Sequence, residues 1–460
     1  DRGREAAPTG SSGGVALYNP PMAKQDCDQI IDARWVLPVA PVNEALEEAS
    51  VAVGDGRIRA VGPREAVHAA WQAPTVCRLP DHALLPGLVN AHGHAAMTLL
   101  RGFAEDAPLA EWLSQHIWPL EARLVSEAFV RDGTRLAAAE MIRSGTTCYS
   151  DMYFFPEVSA AVAREAGLRC QAVFPIVPFP NAWSDGVDDA LHKGMALHDT
   201  YREHPLVTVA FGPHAAYSVD RPDLERIRTY ADELEAPVQI HLHETAAEVA
   251  DARAEHGVSW IGLLDQLGLL TPRLQAVHVT QADADEIAAL AQGGVSVVHC
   301  PHSNLKLASG ICPVATLHDA GINVALGTDG AASNNTLDVL AEARLASLLA
   351  KISTGDTRRL PEARALEMAT LGGARALGRE AEIGSLEAGK LADMIAVDLG
   401  AARFQPVYDP TSALIHGAAG SAVSHVWVGG RALLYDRALM TLDEPAAIAA
   451  AAAWLEQVRN

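Results

Sequence analysis

The feature that most constrains the fold is an alternation of short apolar segments with longer helical stretches through the middle of the chain. From about residue 105 to 370, strand-like runs alternate with Ala-, Glu-, Arg- and Leu-rich stretches such as VRDGTRLAAAEMIRSG and RPDLERIRTYADELEA. With the apolar segment before His92 there are eight such runs, each followed by a helix or by a loop long enough to hold one. This alternation predicts an α/β fold of the (β/α)8 TIM-barrel type. The other seven predicted strands cover residues 146–150, 169–174, 207–211, 238–241, 275–278, 295–299 and 323–326.

Both ends of the chain have the pattern of strands and predict a small β-sandwich domain beside the barrel. Residues 26–83 contain a hairpin with Asp55-Gly56 at its turn, and residues 384–440 contain another with Gly429-Gly430. We assign residues 84–383 to the barrel and residues 441–460 to a C-terminal helix that starts near Glu444-Pro445. Residues 1–25 are rich in Gly, Ser and Pro and predict a flexible leader, either native or a remnant of expression.

The acidic balance of the chain argues against polyanionic partners. Its formal charge is −22 over 460 residues, whereas nucleic-acid binding relies on clustered Lys and Arg. No apolar run reaches the roughly 18 residues that a membrane-spanning helix needs. The leader lacks the apolar core of a signal peptide, and the six dispersed cysteines, without a CxxC motif, are typical of a reducing compartment. We therefore expect a cytoplasmic protein that binds neither nucleic acid nor membranes.

Two histidines after the first barrel strand are the first candidate metal ligands. In LLPGLVNAHGHAAMTLLRG, one glycine separates His92 from His94, and side chains at i and i+2 of a strand point to the same side. His241 and Asp329 lie at the ends of two later strands, where barrel enzymes place their chemistry. Three histidines and one aspartate give N3O coordination, which suits Zn²⁺ and tolerates other divalent metals such as Fe²⁺ or Mn²⁺.

Two further strand-end residues offer acid–base chemistry beside such a metal. Glu244 lies three residues after His241, and His278 closes the apolar run LQAVHV. Glu244 is not needed as a ligand and is free to move protons, while His278 can orient or deprotonate a water or bind a second metal ion. Alone, each of these residues is more often part of the scaffold or of a turn. Together at the strand ends, and with Glu121 in WPLEARL, they favour a hydrolytic metal site.

These residues resemble the amidohydrolase superfamily, and specifically its 5-methylthioadenosine/S-adenosylhomocysteine deaminase branch. The resemblance covers about residues 28 to 440 and rests on NAHGHAAMTLLRGFAEDAPLAEWL, WPLEARL, FGPHAAYS, IHLHET, AVHVTQ, CPHSNLKLASG and GTDGAASNN. It implies a single zinc ion per subunit, with the ligands His92, His94, His241 and Asp329. Glu244 would shuttle a proton to the purine N1, and His278 and Asp329 would act on the attacking water. Glu121 would bind the ribose hydroxyls, and His214 would lie beside the nucleoside.

The implied reaction is hydrolytic removal of the adenine 6-amino group, which gives an inosine-type product and ammonia. Relatives that process S-adenosylhomocysteine are expected to hold its carboxylate with arginines after the third strand, but here no Arg occurs between Arg169 and Arg202. This absence favours 5′-methylthioadenosine or adenosine as the small-molecule nucleoside substrate. Trp112 suits either a pocket wall or core packing, and so do the apolar residues of the Arg-free stretch: Phe174, Ile176, Val177, Phe179 and Trp183.

Several alternatives stay open on the sequence alone. Guanine deaminases and chlorotriazine hydrolases use the same scaffold, although Glu121 favours a substrate that carries a sugar. The predicted fourth strand, VTVAFGPHA, has no lysine to match the bridging residue of binuclear relatives, which favours one metal ion. An inactive metal-binding scaffold would show a broken set of ligands or bases, whereas here every position is filled. Barrels of this kind often associate, so a homo-oligomer is a further expectation.

Overall fold

The computed structural model describes residues 24–41, 43–417 and 419–459. Most of the predicted leader at 1–25 lies outside the described residues, and Gln25 belongs to a short strand, Gln25–Asp26, that pairs with Trp71–Gln72. Within the described ranges, no helix combines the length and the apolar character that crossing a membrane requires. All six cysteines are buried and carry no disulfide there.

Eight parallel strands form the barrel that the sequence predicts. Neighbours in the chain pair with each other, and the ring closes where the Ala91 N–H donates to Leu326 O at 2.8 Å. A second closing bond runs from the Asp329 N–H to His92 O at 3.1 Å. Gly327 permits this approach, because a Cβ there would lie 2.9 Å from the Cβ of His92. The strands are Leu88–Asn90, Thr146–Met152, Arg169–Ile176, Val207–Pro213, Val238–Leu242, Leu274–His278, Ser296–His299 and Asn323–Leu326.

The apolar segment before His92, residues 84–89, is divided at Gly87, whereas its sequence predicts a single barrel strand. Residues before Gly87 end a long strand of the small sheet, and residues after it form the first barrel strand. A Cβ at Gly87 would lie 2.1 Å from Oγ1 of Thr147, so this crossing requires glycine. The first barrel strand ends at Asn90, and His92 and His94 therefore follow it instead of lying on it. Their convergence comes from the loop and not from the alternation of side chains along a strand.

The two chain ends combine in one eight-stranded sheet, which forms the small β domain. Its two parts meet where Met394–Asp398 runs antiparallel to Thr75–Pro86. Both predicted hairpin turns are present, with Asp55-Gly56 and Gly429-Gly430 in the left-handed conformation that tight two-residue turns favour. The remaining strands are Gln29–Val36, Leu46–Gly54, Arg57–Pro63, Val423–Val428, Arg431–Tyr435 and Ala438–Leu439.

Helices follow the barrel strands and surround the sheet. Ser126 caps the first of them by accepting a hydrogen bond from the Phe129 N–H. The C-terminal helix, Glu444–Arg459, packs against that same helix, where the Trp454 indole N–H donates to Asp132 at 2.9 Å. The helices between strands are Glu127–Arg143, Pro156–Ala166, Val187–Tyr201, Arg221–Glu233, Ala246–His256, Trp260–Gln266, Ala284–Gly293, Pro301–Lys306, Val314–Asp319, Ala331–Asn334, Val339–Thr354 and Glu362–Glu367.

Shorter helical segments complete the fold. Four of them, Ala95–Leu100, Leu109–Glu111, Trp112–Ile117 and Trp118–Leu124, lie between the first barrel strand and the first long helix. This insertion stands at the carboxyl end of the barrel, where it can wall the site. The others are Arg64–Ala70, Met368–Gly372, Gly373–Ala376, Ala402–Phe404, Pro410–His416 and Ala419–Ala422.

Candidate metal centre and active site

The four candidate metal ligands meet at the carboxyl ends of the barrel strands. Nε2 of His92 lies 3.2 Å from Nε2 of His241 and 3.5 Å from Oδ1 of Asp329. Nε2 of His94 lies 3.1 Å from the same aspartate oxygen. One nitrogen from each of the three histidines falls within 4.8 Å of the others, a spacing that a single ion can span.

The outer nitrogens of the three histidines show which nitrogen faces the centre. Nδ1 of His92 lies 2.8 Å from Oε1 of Gln239. Nδ1 of His94 and Nδ1 of His241 each lie 2.6 Å from a backbone carbonyl oxygen, which can only accept. Each Nδ1 therefore donates, and each Nε2 is the nitrogen that faces the centre. Against the effect of burial, Asp329 raises the pKa of His94 to about 9, so a cation is favoured beside this carboxylate. Three imidazole nitrogens and a carboxylate that face one point form a donor set that fits a divalent metal ion.

Two residues of the site have strained backbone conformations. The φ angle of Asp329 is 61° and that of His278 is 76°, in the left-handed region that non-glycine residues rarely adopt. Such strain is found most often at functional sites, where the surrounding contacts maintain it. The Gly330 N–H donates to Oδ1 of Asp329 at 2.8 Å, and the Ser303 hydroxyl donates to Oδ2 at 2.7 Å. The carboxylate is thus held with Oδ1 toward His94.

Glu244 follows the fifth strand and lies beside the same centre. The Ser309 hydroxyl donates to its Oε1 at 3.0 Å, and Nε2 of His278 lies 3.6 Å from its Oε2. The ring of His278 is oriented from the other side, where Nδ1 lies 2.8 Å from Oδ1 of Asn304. Burial, with the nearby charge of Asp329 adding to it, raises the pKa of Glu244 to about 8. Glu244 is therefore protonated at neutral pH and can give a proton to a bound molecule.

A cavity of about 460 Å³ brings the remaining candidates into the same space. Its walls include Glu121 and His214 together with the candidate metal ligands His94, His241 and Asp329 and the candidate acid–base pair Glu244 and His278. Burial raises the pKa of Glu121 to about 7, against the effect of the Tyr153 hydroxyl, which donates to its Oε1 at 2.8 Å. Burial lowers the pKa of His214 to about 4, so its ring is neutral at neutral pH. The cavity thus brings together the candidate metal ligands, the acid Glu244 and two further polar side chains, those of Glu121 and His214.

The rest of the cavity wall is mostly apolar. Val177 and Phe179 line it, and so does Trp112, which is otherwise buried. Core packing accounts for the other aromatic and aliphatic candidates, Phe174, Ile176 and Trp183. Among the residues that the structure describes, those lining the cavity include neither Lys nor Arg.

Sequence reasoning missed the side chains that hold the site in place. Ser303, Asn304 and Ser309 belong to the CPHSNLKLASG segment, but the sequence does not show which neighbour each of them contacts. Gln239 precedes His241 by two residues on the same strand, so the alternation of strand side chains predicts that both point into the barrel. That spacing is the signal that could have identified it.

Comparisons with known proteins group this chain with one enzyme family. The model of the Amidohydrolase family matches residues 83–433. A 5-methylthioadenosine/S-adenosylhomocysteine deaminase from Teredinibacter turnerae is 50% identical over 431 residues, which are 94% of this chain and 98% of that protein. The crystal structure of an adenosine deaminase from Xanthomonas campestris with bound zinc is 48% identical, with a TM-score of 0.94 over 95% of this chain and 100% of that one. A guanine deaminase from C. acetobutylicum, at 21% identity and a TM-score of 0.79 over 88% of this chain and 99% of that one, shares the fold.

Proposed function

The chain belongs to the amidohydrolase family and is a hydrolytic deaminase, and from this premise we propose that it removes the adenine 6-amino group of 5′-methylthioadenosine or adenosine in a zinc-dependent reaction. The products are the inosine-type nucleoside and ammonia. One observation carries the proposal: Glu244 and His278, whose Nε2 lies 3.6 Å from the Glu244 carboxyl group, line one cavity with the candidate metal ligands His94, His241 and Asp329. A protonated acid beside a metal set suits a reaction in which a ring nitrogen must accept a proton.

The metal ion would be held by the N3O set described above, whose orientation leaves Nε2 of each histidine free to bind. When bound, such an ion lowers the pKa of a water ligand to about 7 and supplies a nucleophile at neutral pH. The zinc in the Xanthomonas campestris structure supports zinc over iron or manganese. The remaining chemistry rests on side chains of this chain.

Glu244 is placed to protonate N1 of the adenine ring, which lowers the cost of breaking its aromaticity at C6. Water adds its oxygen to C6, the bond from C6 to the amino nitrogen breaks, and that nitrogen leaves as ammonia. His278, whose Nε2 lies 3.6 Å from the Glu244 carboxyl group, would take one proton of the attacking water together with Asp329 and pass it to the leaving nitrogen. The second water proton, left on the C6 oxygen, would return to Glu244 as the 6-oxo group forms, so that the acid is protonated again at the end of the cycle. Asn304 keeps the His278 ring directed toward the reacting atoms.

Glu121 and His214 would hold the nucleoside. Glu121 has one carboxyl oxygen occupied by the Tyr153 hydroxyl, which leaves the other free to accept hydrogen bonds from the ribose hydroxyls. His214 is neutral and its carbonyl oxygen already orients His241, so its ring lies beside the metal set without adding charge to it. A sugar contact of this kind supports a nucleoside over a free base such as guanine.

The apolar wall supports a substrate with an uncharged 5′ end. S-Adenosylhomocysteine carries a carboxylate that is best bound by the planar fork of an arginine, and the described lining of the cavity contains neither Arg nor Lys. Val177, Phe179 and Trp112 offer instead the surface that a thiomethyl group or a bare 5′ hydroxymethyl group can contact. The alternative function, deamination of guanine or dechlorination of a triazine on the same scaffold, lacks a role for Glu121.

The test is a steady-state comparison of ammonia release from 5′-methylthioadenosine, adenosine, S-adenosylhomocysteine and guanine, with chloride release from a chlorotriazine and metal analysis of the same sample. We expect the first two nucleosides to give the highest kcat/KM and one zinc ion per chain. Fastest turnover of guanine or of the triazine would refute the proposed substrate, and so would a preference for S-adenosylhomocysteine.

A further inference from the structure

A relay of buried amide side chains runs beneath the metal-ligand candidates inside the barrel. The Gln275 amide donates through Nε2 to the backbone carbonyl of Ala376 at 2.9 Å. The Gln239 amide donates through Nε2 to Oε1 of Gln275 at 2.7 Å. Oε1 of Gln239 then lies 2.8 Å from Nδ1 of His92. None of the three side chains, Gln239, Gln275 and His92, is exposed by more than 1%.

The relay has one direction because it starts at a group that can only accept. The carbonyl oxygen of Ala376 takes the amide N–H of Gln275 and so turns the oxygen of Gln275 toward Gln239. Gln239 must present its NH₂ group to that oxygen, and the same nitrogen lies 3.1 Å from the carbonyl oxygen of Ala91. Only the oxygen of Gln239 is left to face His92. The Nδ1 of His92 therefore donates, and its Nε2 carries the lone pair.

His92 differs in this respect from the other two histidines of the set. His94 and His241 direct Nδ1 at backbone carbonyls, which no side-chain substitution removes. His92 depends on a side chain, and that side chain depends on a second one. The tautomer with its proton on Nε2 would place an N–H where a metal bond must form, so the orientation of one amide decides whether His92 is competent to bind.

We propose that Gln239 is a positioning residue that holds His92 in its metal-binding tautomer, and that Gln275 acts on His92 through Gln239. The inference rests on the proposed metal site but on no particular substrate. Loss of an outer hydrogen-bond partner of a ligating histidine typically weakens metal binding by about 10–100-fold. A neutral amide also leaves the charge of the buried site unchanged, which a carboxylate in this place would not do.

The experiment measures the zinc dissociation constant. The protein is first stripped of metal and is then titrated with zinc in competition with a chromophoric chelator, without nucleoside. In Gln239→Met, which keeps the volume but removes the acceptor, we expect a Kd raised about 10–100-fold. Gln275→Met should raise the Kd in the same direction by a smaller factor. Gln239→Glu should keep the Kd near or below the wild-type value, because a carboxyl oxygen still accepts from Nδ1 of His92. Cobalt-loaded samples should show altered visible absorption only in Gln239→Met and Gln275→Met.

Gln171→Met is the matched control. Gln171 is another buried glutamine of the barrel interior, and its oxygen accepts from the Ser150 hydroxyl at 3.1 Å instead of contacting His92. Ser150 also accepts from Nε2 of Gln239 at 3.1 Å, so Gln171→Met disturbs a neighbour of the relay but leaves the acceptor for His92 in place. An unchanged zinc Kd in Gln239→Met would overturn the proposal, and so would an equal loss in Gln171→Met, which would indicate general loosening of the core. If Gln239→Met does not fold, the Kd of Gln275→Met decides by itself. A negative result for Gln239 would not affect the proposed deamination, because that reaction is tested by ammonia release and not by zinc affinity.

Discussion

Removal of the Ser309 hydroxyl is expected to shift the pH range in which this enzyme works. The hydroxyl donates to Oε1 of Glu244, and this hydrogen bond favours the ionised carboxylate, so it lowers the pKa of Glu244 against the larger effect of burial. In Ser309→Ala the opposing effect is lost, and the pKa of Glu244 should rise further above its present value of about 8. Because the proposed role of Glu244 requires its protonated form, the alkaline limb of the rate profile should move to higher pH.

The magnitude follows from the burial of Glu244. With a pKa of about 8, roughly 90% of Glu244 is protonated at neutral pH, whereas an ordinary glutamate with a pKa near 4.3 would be protonated to only about 0.2%. A hydrogen bond of about 1 kcal/mol corresponds to about 0.7 of a pKa unit, since one unit is 1.36 kcal/mol. The midpoint of the alkaline limb should therefore rise by between about half a unit and one unit.

The assay is kcat/KM for ammonia release from 5′-methylthioadenosine between about pH 6 and about pH 10, since this parameter reports ionisations of the free enzyme. Ser347→Ala is the control, because Ser347 is equally buried but donates to the Leu360 carbonyl, outside the cavity. The wild-type rate should rise up to about pH 7, where a metal-bound water ionises, and fall above about pH 8, where Glu244 loses its proton. An alkaline limb that stays in place in Ser309→Ala, or moves to lower pH, would refute the assignment of Glu244 as the proton donor.

Two further predictions concern the sugar contact and the metal ion. Glu121→Gln should lower kcat/KM for adenosine by about tenfold, the cost of one lost hydrogen bond to the ribose, and should leave 2′,3′-dideoxyadenosine almost unaffected. Equal losses on both substrates would remove Glu121 from ribose binding. Chelation of the metal should lower the Tm by several degrees in calorimetry, because an ion at 1,000 times its Kd stabilises the folded state by about 4 kcal/mol. Added zinc should restore the Tm. An unchanged Tm would argue against an ion held between His92, His241 and Asp329.

The sequence predicts the barrel well because the fold repeats one unit, an apolar strand followed by a helix, and this alternation is visible along the chain. Parallel strands covered by helices must be apolar on both faces, so segments such as Arg169–Ile176 and Ser296–His299 stand out from the helical stretches between them. Strand ends in a barrel share one edge, and this geometry alone brings His241, His278 and Asp329 together once the strands are identified.

Other features depend on contacts between residues that are far apart in the sequence, and no local pattern of residues predicts these contacts. The division at Gly87 arises because the chain passes against Thr147, a residue 60 positions later, at a distance that only glycine allows. The proton position on His92 depends on Gln239, whose orientation in turn depends on the main chain at Ala376. The raised pKa of Glu244 comes from burial, which is a property of the folded cavity and not of the IHLHET motif.

Glu244→Gln is the direct test of whether Glu244 moves the proton in a metal-dependent deamination. The substitution keeps the size of the side chain and the hydrogen bond from Ser309, but it removes the ionisable group beside His278. Zinc content and ammonia release from 5′-methylthioadenosine should be measured on the same sample. We predict one zinc ion per chain, as in the wild type, and a kcat lowered by about 10²–10⁴-fold, the usual contribution of a positioned acid. Wild-type turnover in the zinc-loaded variant would contradict the account.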